Sequence, residues 1–309
     1  MSDLNWKGHL SMAGANIMWG LMSPVAKLTM ASAAVTPLLM VDFRVAGAAV
    51  LFWITGLFAR KEHVKPIDLA LLAGASLLGI VFNQSCFIIG LSYTSPGEGS
   101  LITTTMPMWV MLLAWLILHE PITLKKAGGI VIGATGAIIL VLGNNSTIGQ
   151  GDNPVLGDII VLAAQFSYAL YLTLYRNFIK RYSLITLMKW MFLFATLVSL
   201  AATSKSLLDT DFAAISPQEW AGAVFVVVGG TFIAYILVMI GQKNLRPTIV
   251  GIYNYVQPIV ATCVGLSLGL EHFTASKILA IILIFTGVYL VTISKSAASQ
   301  QNDDTMARI

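Results

Sequence analysis

Charge is what this chain has least of. Only 10% of its 309 residues are Asp, Glu, Lys or Arg, against about 25% in an average soluble domain. The 18 Lys+Arg and 14 Asp+Glu cannot cover a soluble protein of this size, which excludes a soluble enzyme and a disordered chain. Cysteine is almost missing too. Cys86 and Cys263 both lie in apolar stretches, so no disulfide or zinc framework is implied. The four histidines, His9, His63, His119 and His272, fall at the ends of apolar runs with no metal-ligand spacing. There is no HExxH, no paired Asp inside the apolar runs and no P-loop lysine, so neither embedded metal-dependent hydrolysis nor ATP-driven work is expected, and no cofactor. The net charge of +4 and pI near 9.0 would suit nucleic acid if the cations clustered. They are instead spread between apolar runs. What the sequence does have is hydrophobic residues, at 57% with a mean hydropathy of +0.82.

A membrane helix needs about 20 mostly apolar residues. Ten runs qualify: 9–30, 38–59, 67–91, 97–118, 124–143, 157–175, 185–203, 219–240, 248–270 and 275–293. The expected fold is an all-α polytopic membrane bundle. The first run is too long for the core of a cleavable signal and lacks a small-residue cleavage site. Helix starts are marked by proline at the first helical position after Thr36, Lys65, Ser95 and Ser216, where its missing N–H costs nothing. Ser95-Pro-Gly-Glu98 and Ser216-Pro-Gln-Glu219 also read as capping boxes.

Lys and Arg set the orientation. With the N-terminus inside, 13 basic residues fall in cytoplasmic segments, while Lys205 and Lys277 fall outside. Lys27, Arg44 and Lys189 lie in or near helices. Both termini are therefore expected in the cytoplasm.

The chain also repeats itself. At an offset of 151 residues Gly90 meets Gly241, Pro96 meets Pro247, Pro107 meets Pro258, Glu120 meets Glu271, Thr123 meets Thr274, and Gly136 meets Gly287. Further towards the N-terminus the offset is 149, where Gly8 meets Gly157, Asn16 meets Gln165, Trp19 meets Tyr168 and Phe43 meets Phe192. Two five-helix units follow, 8–143 and 157–294, with a polar tail at 295–309 placed in the cytoplasm. Five is odd, so the second copy is expected to cross in the opposite sense, the arrangement that lets a scaffold open to either side of a midplane site. Asn144–Leu156 is the expected outer connector.

The same residues carry a family likeness. Tyr93-Thr-Ser-Pro-Gly, Met106-Pro107, Leu118-His-Glu120-Pro-Ile-Thr123 and Gly128 to Gly136 are echoed by Gln257-Pro258, Leu270-Glu271-His-Phe-Thr274 and Gly287. This resembles the twin-domain EamA family of the drug/metabolite transporter superfamily. The resemblance covers nearly the whole chain and implies a secondary carrier of small metabolites, often an exporter, in the cell (inner) membrane.

Candidate site residues are the polar groups inside spans, because a buried amide in a bilayer needs a partner. Asn16, Trp19 and Ser23 share a face of the first helix. Gln165 and Tyr168 begin the corresponding face of the sixth, near Tyr171 and Tyr175. Asn83 and Gln84 sit mid-span in the third, and Tyr253, Asn254 and Gln257 in the ninth. Asn16, Trp19, Asn83, Gln84, Gln165, Tyr168, Tyr171, Tyr253, Asn254 and Gln257 are the expected wall of a substrate cavity, with Pro107 and Pro258 as paired helix kinks and hinges. Helix–helix hydrogen bonding is the competing role for the amides. Arg44 reads either as a snorkelling side chain or as a gate ion pair or carboxylate contact, Glu98 as a helix cap or a ligand, and Glu120 and Glu271 as structural turns or proton carriers. Amides and aromatics with few fixed charges suit neutral or zwitterionic, partly apolar solutes such as amino acids. A membrane-embedded enzyme and a non-transporting structural membrane protein are the rival classes.

Overall fold

A computed structural model describes residues 6–32, 34–119, 123–142, 153–245, 253–270 and 272–293. Glu120, Glu271, Pro247, most of the 144–156 connector and the polar tail lie outside the described residues.

The regular structure of the described residues is all helical, with no strand. The helices are α1 (Trp6–Thr29), α2 (Pro37–Phe58), α3 (Pro66–Tyr93), α4 (Pro96–Leu118), α5 (Leu124–Leu142), α6 (Pro154–Leu174), α7 (Leu184–Leu208), α8 (Pro217–Asn244), α9 (Val256–Ser267) and α10 (Ala275–Ile293). Seven of them, α2 to α8, are long and apolar enough to cross a membrane. Among the others, α9 and α10 are shorter apolar helices, and α1 has the length, 24 residues, but is less apolar. The first part of the expected span 248–270 falls outside the described residues.

The proline starts form as local chemistry predicts. Pro37, Pro66, Pro96 and Pro217 each open a helix, and Pro154 opens α6. Ser216 and Glu219 complete a capping box on α8. Thr123 and Thr274 hydroxyls accept the Lys126 and Lys277 amides at the starts of α5 and α10, satisfying N–H groups that a first helical turn leaves orphaned.

Each of α3 and α8 carries a π-helical turn, at Leu77–Phe82 and Val228–Ile233. The two turns lie 151 residues apart at both ends, and the helices that contain them begin and end 151 residues apart as well. Close packing repeats with them. A side chain at Gly79 would meet Tyr171, and one at Gly230 would meet Met22. Gly90 packs on Gly157 and Val161, while Gly241 packs on Gly8 and Met12. Every one of these partners is related by 149 or 151 residues.

Helices pair across the halves of the sequence. α1 packs on α8 and α9, α6 on α3 and α4, α2 on α7, and α5 on α10. The α5–α10 pair is backbone-close: a Cβ at Gly287 would lie 2.5 Å from the Gly133 nitrogen and 2.6 Å from the Gly129 carbonyl oxygen. Small residues that let backbones touch are the usual means of joining helices where lipid supplies no hydrophobic drive.

Candidate functional site: a cavity between the sequence halves

α4 and the segment leading into α9 are interrupted at matching positions. α4 breaks at Thr104–Thr105 between helical stretches 96–103 and 106–118, and residues 254–255 form the equivalent turn before α9. The sequence suggests kinks within continuous helices; the structure has breaks instead. Pro107 lies in the first turn of the resumed helix, where its missing N–H is tolerated. Three consecutive hydroxyls fold back at the break, with Thr103, Thr104 and Thr105 donating to the carbonyls of Ser100, Leu101 and Ile102 at 2.6–2.7 Å. Irregular backbone at membrane depth is viable only where protein or a wet cavity covers it.

A cavity lies beside these breaks. It holds about 740 Å³ of empty space, its open side included. Of the expected site residues, Trp19, Asn83, Gln165, Tyr168, Asn254 and Gln257 line it. The others stand back. Asn16 is fully buried and donates to the Met12 carbonyl. Gln84 is buried beside Tyr235. Tyr171 packs 5.6 Å from the Tyr168 ring and turns its hydroxyl to the Met191 sulfur. Tyr253 bonds His9 Nδ1 at 2.8 Å. Asn83 is anchored by donating to the Ala164 carbonyl at 2.9 Å.

The remaining wall is Met22, Phe87, Thr103, Thr104, Met106, Tyr235 and Arg44. The repeat offsets identify three of these: Thr103 matches Asn254, Met106 matches Gln257, and Tyr235 matches Gln84. The cavity thus draws equivalent positions from both halves, with Trp19 opposite Tyr168 as a third lining pair.

Arg44 does not snorkel. It is 5% exposed, and its Nε donates to Thr231 Oγ1 at 2.9 Å. Thr231 sits in the π turn of α8 and passes its own hydrogen to the Val226 carbonyl, five residues back. The widened turn is what brings a hydroxyl to this place; π turns recur at functional sites for such reasons. The neighbouring Asp42 faces away and accepts from Ser199 and Thr203 at 2.5 and 2.8 Å.

A second polar cluster joins α1, α3, α4, α6 and α10. Lys277 is not a loop residue, as the sequence reading has it. It lies in the first turn of α10, buried, with Nζ 3.5 Å from Glu98 Oε1. The Thr94 hydroxyl lies within reach of both Glu98 and Asp158. Lys27 Nζ donates to the carbonyls of Leu91, Ser92 and Thr94 at 2.6–3.0 Å, neutralising the negative end of α3. Glu98 therefore both presents its N–H to the Ser95 cap and carries a buried charge. Among the described residues no group of His, Cys, Asp and Glu could hold a metal ion.

A multi-pass helical membrane protein with a polar cavity between matching helices is the class these features define. The particular family follows from comparison. The profile of the EamA-like transporter family matches residues 6–142 and 155–293, and the chain belongs to that family. It is 26% identical over 297 residues to a protein named as the uncharacterized transporter YvbV of Bacillus subtilis, covering 91% of this chain and 90% of that one. A WAT1-related protein of Arabidopsis thaliana is 24% identical over 72% of this chain and 68% of its own length. One solved crystal structure superposes with a TM-score of 0.63 at 18% identity, covering 93% of this chain and 97% of that chain, a likeness of fold.

Proposed function

We propose that the protein is a secondary carrier that moves small metabolites by alternating access, exporting them across the cell membrane. The observation that carries this reading is the cavity lined by repeat-equivalent residues at two broken helices. In this reading ten spans form two units, 8–143 and 157–294, inserted in opposite senses, with both termini in the cytoplasm. Trp19, Asn83, Gln165, Tyr168, Asn254 and Gln257 touch the solute. Tyr171 packs behind Tyr168, while Asn16, Gln84 and Tyr253 serve helix packing behind the wall. Pro107 and Pro258 fix where α4 and α9 bend.

The ionic cluster supports the same reading. With the N-terminus inside, Lys27, Glu98, Asp158 and Lys277 all lie towards the outer face. There the Lys277–Glu98 pair ties α10 to α4, one helix from each half, as an outer closure. Opening to that side requires the pair to separate.

The test is uptake or release by proteoliposomes offered a mixed pool of metabolites, read by mass spectrometry. Selective, protein-dependent movement of some members is expected; no movement of any member overturns the carrier reading. Orientation is tested with Gly149→Cys in a Cys86→Ser, Cys263→Ser background. A membrane-impermeant thiol reagent is expected to label it from outside, and labelling from the cytoplasmic side alone reverses the topology.

A further inference from the structure

The cavity wall is symmetric in its scaffold and asymmetric in its charge. Among the described residues Arg44 is its sole charged lining residue. The position 149 residues later is Leu193, so the packing of the repeat does not call for a cation here. No Asp or Glu among the described residues lies within ion-pair distance of Arg44, and its Nη1 has no hydrogen-bond partner. Asp42, the nearest carboxylate in sequence, is committed to Ser199 and Thr203. A buried, uncompensated guanidinium is costly. It is held at the cavity edge by a single neutral bond, Nε to Thr231.

We propose that Arg44 is the anchor for a carboxylate, and that the transported solute is an organic monocarboxylate. A guanidinium presents paired N–H donors that match a carboxylate. One positive charge balances one negative charge. A phosphate dianion would leave a net charge in a cavity whose other walls are amides, hydroxyls and aromatic rings. Trp19, Tyr168, Tyr235 and Phe87 give the organic body of the solute apolar surface that an inorganic ion would not use. Thr231 is the positioning residue, since its bond to Nε fixes the plane of the guanidinium.

This inference rests on the carrier reading, and its test separates the two. Purified protein is assayed for thermal stabilisation by benzoate and benzamide, lactate and lactamide, L-leucine and L-leucinamide, and L-phenylalanine and L-phenylalaninamide, with sodium chloride at equal concentration as the inorganic arm. The same compounds are then offered to proteoliposomes. At least one acid is expected to stabilise and to be transported, with its amide about 10–100-fold weaker, the range that loss of a charge-assisted hydrogen bond gives. Arg44→Gln is expected to abolish the difference between acid and amide, Arg44→Lys to restore part of it, and Thr231→Val to raise KM for the acid with a smaller change in kcat. Because Arg44→Gln removes a buried group, its fold is checked by size-exclusion profile, and Thr231→Val gives an independent reading if it fails. Amides bound as well as acids, chloride alone giving the full shift, or no acid binding at all overturns the anchor. Acids that bind but never cross keep the anchor and overturn the carrier.

Discussion

At the scale of single residues, burial decides which charges matter. The Lys277–Glu98 pair is almost wholly enclosed, with side chains 5% and 7% exposed. Removing one partner leaves the other's buried group less compensated. Lys277→Met is expected to destabilise the protein by about 3–5 kcal/mol, with Lys277→Met/Glu98→Gln recovering much of that loss; thermal midpoints of the single and double variants check it. A double loss equal to the sum of the Lys277→Met and Glu98→Gln losses would show that the pair is not coupled. Glu62 is a contrasting case at the other end of the bundle. Its carboxylate accepts the Ser183 N–H and hydroxyl at the start of α7. Burial pushes its pKa up, but hydrogen bonds from Thr186 and Ser183 outweigh that and hold it below the ordinary carboxylate value. A depressed pKa means the tether is fully present above the unfolded value and is lost as pH falls through the folded one. Amide exchange at the start of α7 is therefore expected to be slow at neutral pH and to lose its protection below the ordinary Glu range, and Glu62→Gln to remove that pH dependence. These residues also show what a sequence hides. Lys277 sits beside an apolar run and reads as loop charge, because burial comes from α4, far away in the chain. Arg44 and Thr231 are 187 residues apart, and no local pattern joins them.

At the scale of the helix, the informative features are the places where helices depart from regularity. Proline starts and threonine caps are local, and the sequence shows them directly. The ten lining and supporting residues follow from polarity within spans plus the repeat. Trp19, Asn83, Gln165, Tyr168, Asn254 and Gln257 on the wall are legible this way, whereas Met22, Phe87 and Met106 have no polar signature inside an apolar run, and Thr103, Thr104 and Tyr235 stand out only once the fold brings them to the cavity. The π turns have no sequence signature of their own, although Gly79 and Gly230 sit within them where Tyr171 and Met22 press close. The breaks in α4 and before α9 give a further prediction. Pro107→Ala and Pro258→Ala each return an N–H to the backbone and favour a continuous helix. Slower turnover with nearly unchanged KM is expected, and opposite shifts in the sidedness of cysteine labelling. Wild-type rates with matching labelling in both would make the prolines packing features. The α5–α10 contact is the least forgiving. Gly287→Val places a side chain against the backbone of α5 and is expected to cost about 3 kcal/mol, seen as a lower thermal midpoint. Gly128, with open space around its Cβ position, is expected to accept alanine with little change.

At the scale of the whole molecule, the units read from sequence are not units of packing. α1 rests on α8 and α9, and α6 on α3 and α4, so each half is completed by the other. A chain ending at residue 142 is expected to be degraded when made alone, and to accumulate when residues 153–309 are expressed beside it. Equal levels in the two conditions would show that the first half is self-sufficient. The same exchange of first helices has a consequence in time. α1 is finished by residue 29 and α8 by residue 244, and synthesis proceeds at about 5–20 residues per second. The first helix therefore waits roughly 10–40 s for the α8 and α9 surfaces it packs on, although Lys27 meets its acceptors at the end of α3 as soon as residue 94 has been made. A ribosome pause between α6 and α8 would lengthen that wait, whereas one after α9 would not.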